Sequence, residues 1–419
     1  MSFCKLAPGR KVAQQLPLVA QHWTCTSLGI FQPNWIQLGI ALDGEAAGDK
    51  LGQSVSLSAD GNTVAIGAPK NAGSINASRV GHVRVYRWSS DSSVWNQLGN
   101  DLDGEAAGDE SGFSVSLSAD GSTVAIGAPY KDNNRGRVRV YRWIPDESSW
   151  NQLGNALDGE AEGDRSGFSV SLSADGSTVA IGAFGNNAFR GHVRVYSLSS
   201  DSSVWNQLGN DLDGEAEGDF SGGSVSLSAD GSTVAIGAFG NNAYRGHVRV
   251  YSLSSDSSVW NQLGNDLDGE AAYESSGVSV SLSADGSTVA IGAYGYDDSR
   301  GRVRVYSLSS DSSVWNQLGN DLDGEAAYES SGFSVSLSAD GSTVAIGANY
   351  GYDDSRGRVR VYSLSSDSSV WNQLGNDLDG EAAGDESGFS VSLSADGSTV
   401  AIGAPYKDNN RGRVRVYRW

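Results

Sequence analysis

Hydrophobic and polar residues alternate with a period of two in short runs along most of the chain. This period is typical of β-strands whose two faces meet different surroundings. In one representative segment we predict strand a over Phe113–Ser118 and strand b over Thr123–Ala128, joined by an Ala-Asp-Gly-Ser turn. Strand c is predicted over Arg137–Tyr141, and the shorter strand d over Trp95–Gly99. No segment shows the 3.6-residue period of an amphipathic helix, which predicts a chain almost without helices.

Strands a and b each have one bulky face and one small face. The bulky side chains are Val115, Leu117, Val124 and Ile126, and the small ones are Ser114, Ser116, Ala125 and Gly127. Such a sheet packs well against a copy of itself, with the bulky face of one against the small face of the next. Repeated radially, this packing predicts the blades of a β-propeller.

The same sequence pattern recurs seven times. The motif Trp-x-Gln-Leu-Gly begins at Trp35, Trp95, Trp150, Trp205, Trp260, Trp315 and Trp371, which are 55 or 56 residues apart after a first interval of 60. A fixed period of this length is typical of propellers and other repeat architectures. The period of 55 and the absence of Gly-His and Trp-Asp marks argue against WD-type repeats.

The two ends of the repeat array complement each other. The array begins with a lone strand d at Trp35–Gly39 and stops directly after a strand c at Arg413–Tyr417. Pairing of these strands would close the ring and hide the sheet edges that favour aggregation. We therefore predict an all-β, closed seven-bladed β-propeller over residues 35–419, with four antiparallel strands per blade and an N-terminal strand that closes the last blade. Residues 1–34 are predicted to form a poorly ordered extension.

Composition narrows the range of partners. The formal net charge of −21 argues against nucleic acid, which requires clustered Lys and Arg, and against anionic membranes. No run reaches the roughly 18 apolar residues of a membrane-spanning helix, so membrane insertion is not expected. Cys4 and Cys25 precede the repeats and cannot cross-link them. Met1–Gln32 makes a poor signal peptide, and the localisation is left open. We expect a monomer.

The sequence around strands a and b resembles a known repeat. Gly112-Phe113-Ser114-Val115, followed by Ile126-Gly127-Ala128-Pro129, is similar to the FG-GAP repeat, and the likeness covers about Trp35 to Trp419. FG-GAP repeats fold as propeller blades in integrin α-chains and in bacterial and algal surface proteins. The resemblance implies an extracellular or cell-surface location and a calcium-dependent adhesion module. Integrin-type blades often bind calcium between strands a and b, but here that turn offers a single carboxylate, Asp120, too few oxygens for Ca²⁺.

The sequence offers little for catalysis. Three of the four histidines, His82, His192 and His247, begin strand c at a position where the other blades carry Arg. We interpret this exchange as a variable edge position rather than a ligand or general base. Nucleophile elbows, phosphate loops and zinc-spaced Cys/His clusters are missing from the sequence, and its carboxylates repeat in every blade. We therefore predict that the protein is not an enzyme.

Two sets of repeated charged residues have competing interpretations. In the acidic connection between strands d and a, Asp103, Glu105 and Asp109 are weak candidates for a Ca²⁺ site. The alternative, which we prefer, is that Asp109 accepts backbone N–H groups within the turn. A second arginine in strand c recurs in all seven blades, and we expect it to pair with a carboxylate. These arginines are Arg84, Arg139, Arg194, Arg249, Arg304, Arg360 and Arg415.

The loop between strands b and c varies most between repeats. In an antiparallel blade this loop shares one rim of the ring with the acidic connections, and binding residues concentrate on variable loops of rigid scaffolds. The candidate binding residues are Tyr130, Lys131, Phe189, Arg190, Tyr244, Arg245, Tyr296, Asp297, Tyr352, Asp353 and Tyr406. We hypothesise a non-catalytic binding or scaffold propeller for a protein or glycan partner. The alternatives are the calcium-dependent adhesion module and a purely structural repeat, with the loop aromatics filling space between blades.

Overall fold

The computed structural model describes residues 34–73, 78–256, 259–350 and 354–419, together with the backbone of a short antiparallel pair, Thr24–Cys25 and Phe31–Gln32. The described residues form seven antiparallel sheets arranged as the blades of a closed propeller. We number the blades 1 to 7 along the chain. No described helix is long and apolar enough to cross a membrane.

Strands a and b form the inner half of each blade. Strand a spans Ser54–Leu57, Ser114–Leu117, Ser169–Leu172, Ser221–Leu227, Ser279–Leu282, Ser331–Leu337 and Ser390–Leu393 in blades 1 to 7. Strand b spans Thr63–Ala68, Thr123–Ala128, Thr178–Ala183, Thr233–Ala238, Thr288–Ala293, Thr343–Ala348 and Thr399–Ala404. The alternating pattern predicted both strands to within a residue in most blades.

Strands c and d form the outer half. Strand c spans His82–Ser89, Arg137–Ile144, His192–Leu198, His247–Leu253, Arg302–Leu308, Arg358–Leu364 and Arg413–Arg418. Strand d is broken into two pieces that both pair with strand c. The first piece spans Val94–Gln97, Ser149–Gln152, Trp205–Gln207, Trp260–Gln262, Trp315–Gln317, Trp371–Gln373 and Ile36–Gln37. The second spans Leu102–Asp103, Leu157–Asp158, Leu212–Asp213, Leu267–Asp268, Leu322–Asp323, Leu378–Asp379 and Leu42–Asp43.

The predicted closure of the ring is confirmed. Ile36 pairs with Arg418 and Gln37 with Tyr417, both antiparallel. The backbone N–H of Leu38 continues the ladder by donating to Val416 at 2.8 Å. The last blade therefore takes its outer strand from the beginning of the repeat array, and each of the seven described blades has all four strands.

The core lies between blades, bulky face against small face as predicted. In one interface, Ala65 and Val85 of blade 1 pack against Val115, Leu117 and Ile126 of blade 2. Each of the seven interfaces has an equivalent buried cluster. Burying apolar surface in this way contributes roughly 25 cal/mol per Å², so the interfaces are the main source of stability.

Hydrogen bonds also join neighbouring blades in complete rings. One ring is formed by backbone N–H groups that each donate to the carbonyl of the next blade at 2.8–2.9 Å. Its members are Ala59, Ala119, Ala174, Ala229, Ala284, Ala339 and Ala395. A second ring is formed by the indoles, as when Trp205 Nε1 donates to Leu153 O, and Trp35 closes it by donating to Leu374 O, both at 2.8 Å.

In the part of the chain that the structure describes, helical structure is confined to short turns, in line with the sequence. Five b–c loops contain a four-residue helical turn, at Lys131–Asn134, Asn186–Phe189, Asn241–Tyr244, Tyr296–Ser299 and Lys407–Asn410. The two middle residues of each turn have positive φ, for example 49° at Asp132 and 56° at Asn133, so these are left-handed turns rather than true α-helices. A single 3₁₀ turn occupies Pro145–Glu147 among the described residues.

Candidate functional site

The two rims of the ring differ in how they are built. We call the rim with the b–c loops and d–a connections the variable face, and the rim with the a–b and c–d turns the uniform face. On the variable face, each d–a connection is hydrogen-bonded to the b–c loop of the preceding blade. Gly163 N donates to Asn133 O at 3.2 Å, and Arg165 N donates to Asn134 O at 2.7 Å. The two kinds of loop therefore share this rim, as the topology predicted.

The uniform face is held by one hydrogen-bonded turn repeated in every blade. In blade 2, Asp120 Oδ1 accepts from Ser118 Oγ at 2.6 Å and from Ser122 N at 2.9 Å. Burial alone would raise the pKa of the Asp120 carboxyl, but the hydrogen bonds from Ser118 and Ser122 outweigh burial and lower it. The equivalent carboxyls, whose pKa is also lowered, are Asp60, Asp175, Asp230, Asp285, Asp340 and Asp396.

On the variable face, blade 2 has a polar recess of about 520 Å³. Its walls are residues 106–109 of the acidic connection and residues 130–134 of the b–c loop. Lys131 Nζ lies 3.3 Å from Asp109 Oδ2 and 3.6 Å from Glu105 Oε2. Half-buried Tyr130 stands edge-on to Phe113 with ring centroids 5.8 Å apart. The structure thus brings together predicted residues from two separate sequence segments.

Blade 7 repeats this arrangement. Lys407 Nζ lies 3.4 Å from Asp385 Oδ2, and the ring of Tyr406 lies 6.0 Å from that of Phe389. Lys50 Nζ sits 4.2 Å from the centre of the Tyr406 ring, close enough for a cation–π contact. Two blades therefore carry a tyrosine, a lysine and a buried aspartate in the same geometry.

Blades 3 and 4 present exposed aromatic rings instead. Phe189 and Tyr244 are 39% and 43% exposed. The Phe189 ring lies 5.3 Å from that of Phe220, and Tyr244 stacks on Tyr273 at 6.4 Å. The predicted partners Arg190 and Arg245 are half-buried behind them, and Arg245 Nε donates to the carbonyl of Gly269.

The remaining predicted residues are less accessible or undescribed. The ring of Tyr296 is covered by the guanidinium of Arg302, whose carbon lies 3.6 Å from the ring centre. Its neighbour Asp297 is exposed. Tyr352 and Asp353 lie outside the described residues. The interpretation of the loop aromatics as filling between blades therefore suits Tyr296 better than Phe189 or Tyr244.

Sequence reasoning missed an aromatic arc that begins at Phe113 and Phe168, which line the central channel. Phe113 contacts Phe168 at 4.8 Å between ring centroids, Phe168 contacts Phe184 at 4.3 Å, and Phe184 contacts Phe220 at 5.9 Å. Phe220 occupies the position that is Glu110 in blade 2. Aligning the seven repeats shows this exchange at a single position of the d–a connection, and the exchange was the signal by which the arc could have been found.

Each of the weak calcium candidates already has partners within the protein. Asp109 Oδ2 accepts Glu105 N at 3.2 Å and Ala106 N at 2.8 Å, as the preferred interpretation had it. The Glu105 carboxylate is engaged by Arg137 Nη1 at 2.7 Å. Asp103 belongs to the second piece of strand d, paired with His82 in the ladder. Asp109 therefore has a structural role in its turn.

In the three histidine blades the first residue of strand c is buried, contrary to the interpretation of a variable edge position. His82, His192 and His247 are each only 1% exposed. Burial lowers the pKa of all three imidazoles, and nearby carboxylates oppose this only in part. In the other blades an arginine takes this place, as when Arg302 contacts Asp321 Oδ2 at 2.7 Å and Asp323 Oδ1 at 2.5 Å.

The recurrent second arginine of strand c has two kinds of partner. Arg84 contacts Asp101 at 3.1 Å, Arg304 contacts Glu274 at 2.7 Å and Arg360 contacts Glu329 at 2.9 Å, as expected. In blades 2 and 7, however, Arg139 and Arg415 donate to backbone carbonyls, at 2.6 and 2.7 Å. Burial of the guanidinium is therefore balanced by a carboxylate in some blades and by peptide oxygens in others.

The closed ring of seven four-stranded blades, with one rim of varying loops, defines a seven-bladed β-propeller. The chain belongs to the fungal fucose-specific lectin family, whose model matches residues 183–418, more than half of the 419 residues. Among curated proteins, none matches this sequence.

Solved structures share the fold at low sequence identity. The structure of a protein from Bacteroides uniformis that is assigned as a 6-phosphogluconolactonase matches with a TM-score of 0.56 and 12% identity. The match covers 79% of this chain and 86% of that one. The periplasmic gluconolactonase PpgL of Pseudomonas aeruginosa matches with a TM-score of 0.54 and 17% identity, with the same coverage of 79% and 86%. The hydrazine synthase of Kuenenia stuttgartiensis matches with a TM-score of 0.58 and 12% identity, covering 90% and 97%.

These comparisons correct two predictions. The resemblance to FG-GAP repeats was wrong, because the matching family is a lectin family, and the calcium-dependent adhesion module that it implied loses its support. The prediction that the protein is not an enzyme is contradicted by the two lactonase structures, since this architecture also occurs in enzymes. At 12% and 17% identity the likeness shows the fold alone and assigns no reaction to this chain.

Proposed function

We propose that the chain is a glycan-binding propeller and that sugars bind on the variable face. Membership of a fucose-specific lectin family supports a glycan, and fucose is the first sugar to test. The observation that carries the proposal is that this face has exposed aromatic rings, at Phe189 and Tyr244, as well as a polar recess beside Tyr130. The uniform face repeats one hydrogen-bonded turn in every blade, and its own recess of about 550 Å³ lies among these turns, beside Arg87 and Trp88. We prefer the variable face because its loops differ between blades.

The chemistry of the recess in blade 2 suits a sugar. A pyranose presents hydroxyl groups along its edge and C–H groups on its faces, so it needs charged or amide partners next to an apolar wall. Lys131 and Asp109 supply a cation and an anion 3.3 Å apart, and Tyr130 supplies the ring. Charged donors and acceptors make the stronger hydrogen bonds. A recess of about 520 Å³ also lies within the range of roughly 300–1,000 Å³ typical of small-ligand sites.

Blades 3 and 4 offer a more exposed version of the same chemistry. The rings of Phe189 and Tyr244 project from the b–c loops, and their loops are anchored by Asn186 and Asn241, whose Nδ2 groups donate to Asp164 and Asp219 at 3.2 and 3.1 Å. Because related loops recur around one rim, one chain would offer several weak sites. Simultaneous engagement of a branched glycan would then raise the apparent affinity without new contacts.

The test uses the exposed rings and a matched control on the other rim. We expect the double variant Phe189→Ser/Tyr244→Ser to lose at least tenfold in affinity for fucosylated glycans, measured by glycan array and by calorimetry with methyl α-L-fucoside. The control, Val204→Ser/Val259→Ser, removes apolar side chains of similar exposure, 43% and 47%, from the uniform face. It should bind as the unmodified chain does.

Three outcomes would contradict the proposal. If the unmodified chain retains no glycan at millimolar concentration, the glycan partner is wrong. If both double variants lose binding equally, the variable face is not the site. If a protein is captured and no sugar competes for it, the partner is a protein.

A further inference from the structure

Three blades carry a group of metal-ligating side chains at the same place. The groups are Glu45, His82 and Asp101 in blade 1, Glu160, His192 and Asp211 in blade 3, and Glu215, His247 and Asp266 in blade 4. In each group one nitrogen and two carboxylate oxygens lie within 4.8 Å of one another. Each lies on the variable face, where strand c begins beside the end of strand d.

The histidine is presented in only one way. In blades 3 and 4 the Nε2 atoms of His192 and His247 are buried and have no hydrogen-bond partner among the described residues. A metal ion would therefore reach each imidazole from its Nδ1 side. On that side, His192 Nδ1 lies 3.9 Å from Asp211 Oδ2, and His247 Nδ1 lies 3.9 Å from both Asp266 Oδ2 and Glu215 Oε2. These separations exceed a hydrogen bond and approach the spacing of two ligands on one metal ion.

The other blades show what normally fills this place. Where strand c begins with Arg302, its guanidinium lies among Glu270, Asp321 and Asp323, at 2.9, 2.7 and 2.5 Å. Where strand c begins with histidine, that guanidinium is missing, and His247 Nδ1 stays 3.9 Å from both carboxylates. Relative to the arginine blades, each histidine blade therefore lacks the permanent positive charge of one guanidinium.

We propose that blades 3 and 4 each bind a divalent transition-metal ion of the Zn²⁺ type through the histidine, the aspartate and the glutamate. One imidazole nitrogen and two carboxylate oxygens with an open fourth position is a donor set that Zn²⁺ accepts. Ca²⁺ and Mg²⁺ require more oxygen ligands than the group offers. The ion would supply the charge that arginine supplies elsewhere in the ring.

The surrounding residues orient the aspartate of each site and leave the glutamate adjustable. Gln207 Nε2 donates to Asp211 Oδ1 at 2.7 Å, and Gln262 Nε2 does the same to Asp266 Oδ1, which turns the other oxygen toward the histidine. Such outer contacts commonly fix the ligands of a metal. Glu160 and Glu215 are 51% and 49% exposed, so they are able to close onto an ion.

Blade 1 differs in one respect that predicts the stoichiometry. There Arg84 contacts both carboxylates of the group, Asp101 at 3.1 Å and Glu45. In blades 3 and 4 the equivalent Arg194 and Arg249 lie 3.6 and 4.0 Å from the glutamate and donate to a backbone carbonyl. Arg84 therefore competes with an ion in blade 1, and we expect two sites of similar affinity and a third at least tenfold weaker.

The experiment titrates ZnCl₂ into the tag-free, metal-stripped full chain by calorimetry, with CaCl₂ in a parallel series. Cys4, Cys25 and His22 could bind zinc on their own, so all chains carry Cys4→Ser and Cys25→Ser. We expect two zinc ions per chain and no calcium. The double variant His192→Arg/His247→Arg should lose both ions, because it gives blades 3 and 4 the residue that four blades already carry.

A converse variant sharpens the test. Arg302→His should add one zinc ion per chain, since Glu270 and Asp321 are already in place. If the double arginine variant fails to fold, as judged by circular dichroism and thermal melting, Asp211→Asn/Asp266→Asn provides the same readout. Absence of zinc binding by the unmodified chain, or undiminished binding by the variants, would overturn the proposal. No sugar is present, so the result does not depend on the proposed function.

Discussion

The uniform and variable faces lie at opposite ends of the same strands, yet they tolerate change very differently. On the uniform face the seven alanines of the hydrogen-bonded ring join every blade to the next through backbone atoms. A shift of the backbone in one blade there would break the hydrogen bonds to both neighbouring blades. On the variable face the loops also bond to each other through backbone groups, but their side chains point outward, as at Phe189 and Tyr244. The contrast shows that the loops of a repeat scaffold can vary in sequence where their side chains face solvent.

The largest expected effect concerns the ring itself. Trp35→Ala should destabilise the fold by about 3–5 kcal/mol, the usual cost of removing a buried large aromatic side chain. Trp35 is 7% exposed, and its indole donates to Leu374 O. The matched variant is Trp205→Ala in blade 3, where Trp205 is 6% exposed. Denaturant unfolding should give both the same loss, and a much smaller loss at Trp35 would mean that the closing interface is weaker than the others.

A smaller effect is expected at the uniform turn. Asp120→Ala removes the acceptor for Ser118 Oγ and Ser122 N and should cost about 1–2 kcal/mol, since typical net hydrogen-bond contributions are about 1 kcal/mol each. The control is Asp146→Ala, which changes an exposed aspartate of the c–d turn on the same face. Equal thermal melting of both variants would show that the turn does not depend on its aspartate.

The pH dependence tests all seven turns together. A carboxyl whose pKa is lowered on folding stabilises the fold at pH values above its ordinary pKa, 3.8 for aspartate, and this contribution is lost as the pH falls through the folded value. The carboxyls should contribute little change between pH 7 and pH 5 and a steep fall of the melting temperature below about pH 4. The buried imidazoles of His82, His192 and His247, whose pKa is lowered from 6.5, should add a gentler fall that begins between pH 7 and pH 6. Asp120→Asn should flatten this fall slightly, and a melting temperature that rises on acidification would contradict the assignment.

The closed ring could be predicted from the sequence because counting the strands of the repeats shows which strands lack a partner. A lone strand d at Trp35 and an unpaired strand c ending near Tyr417 leave each other as the obvious partners. The break in strand d was not predictable from alternation, because its second piece, such as Leu102–Asp103, is only two residues long. The Gly-Ala sequence that suggested FG-GAP repeats is explained by packing between blades. At Gly127, an added Cβ would collide with the carbonyl of Gly167 in the next blade.

The candidate site was predicted only in part. Tyr130, Lys131 and Asp109 were found as separate motifs, but their meeting in one recess depends on how adjacent blades are placed. The aromatic arc from Phe113 to Phe220 likewise joins residues of blades 2, 3 and 4. The burial of His192 was missed because a polar residue at the start of a strand gives no sign of being covered by a neighbouring loop.

The closed ring of alanine hydrogen bonds means that the fold does not depend on which blade the chain starts from. Each alanine donates to the next and the seventh returns to the first, so no blade is distinguished as a starting point. The rings of Trp35 and Trp419 lie 5.4 Å apart, which places the two ends of the repeat array side by side. A short linker between these ends, with a new opening in any other c–d turn, would give a circular permutant that keeps every contact between blades.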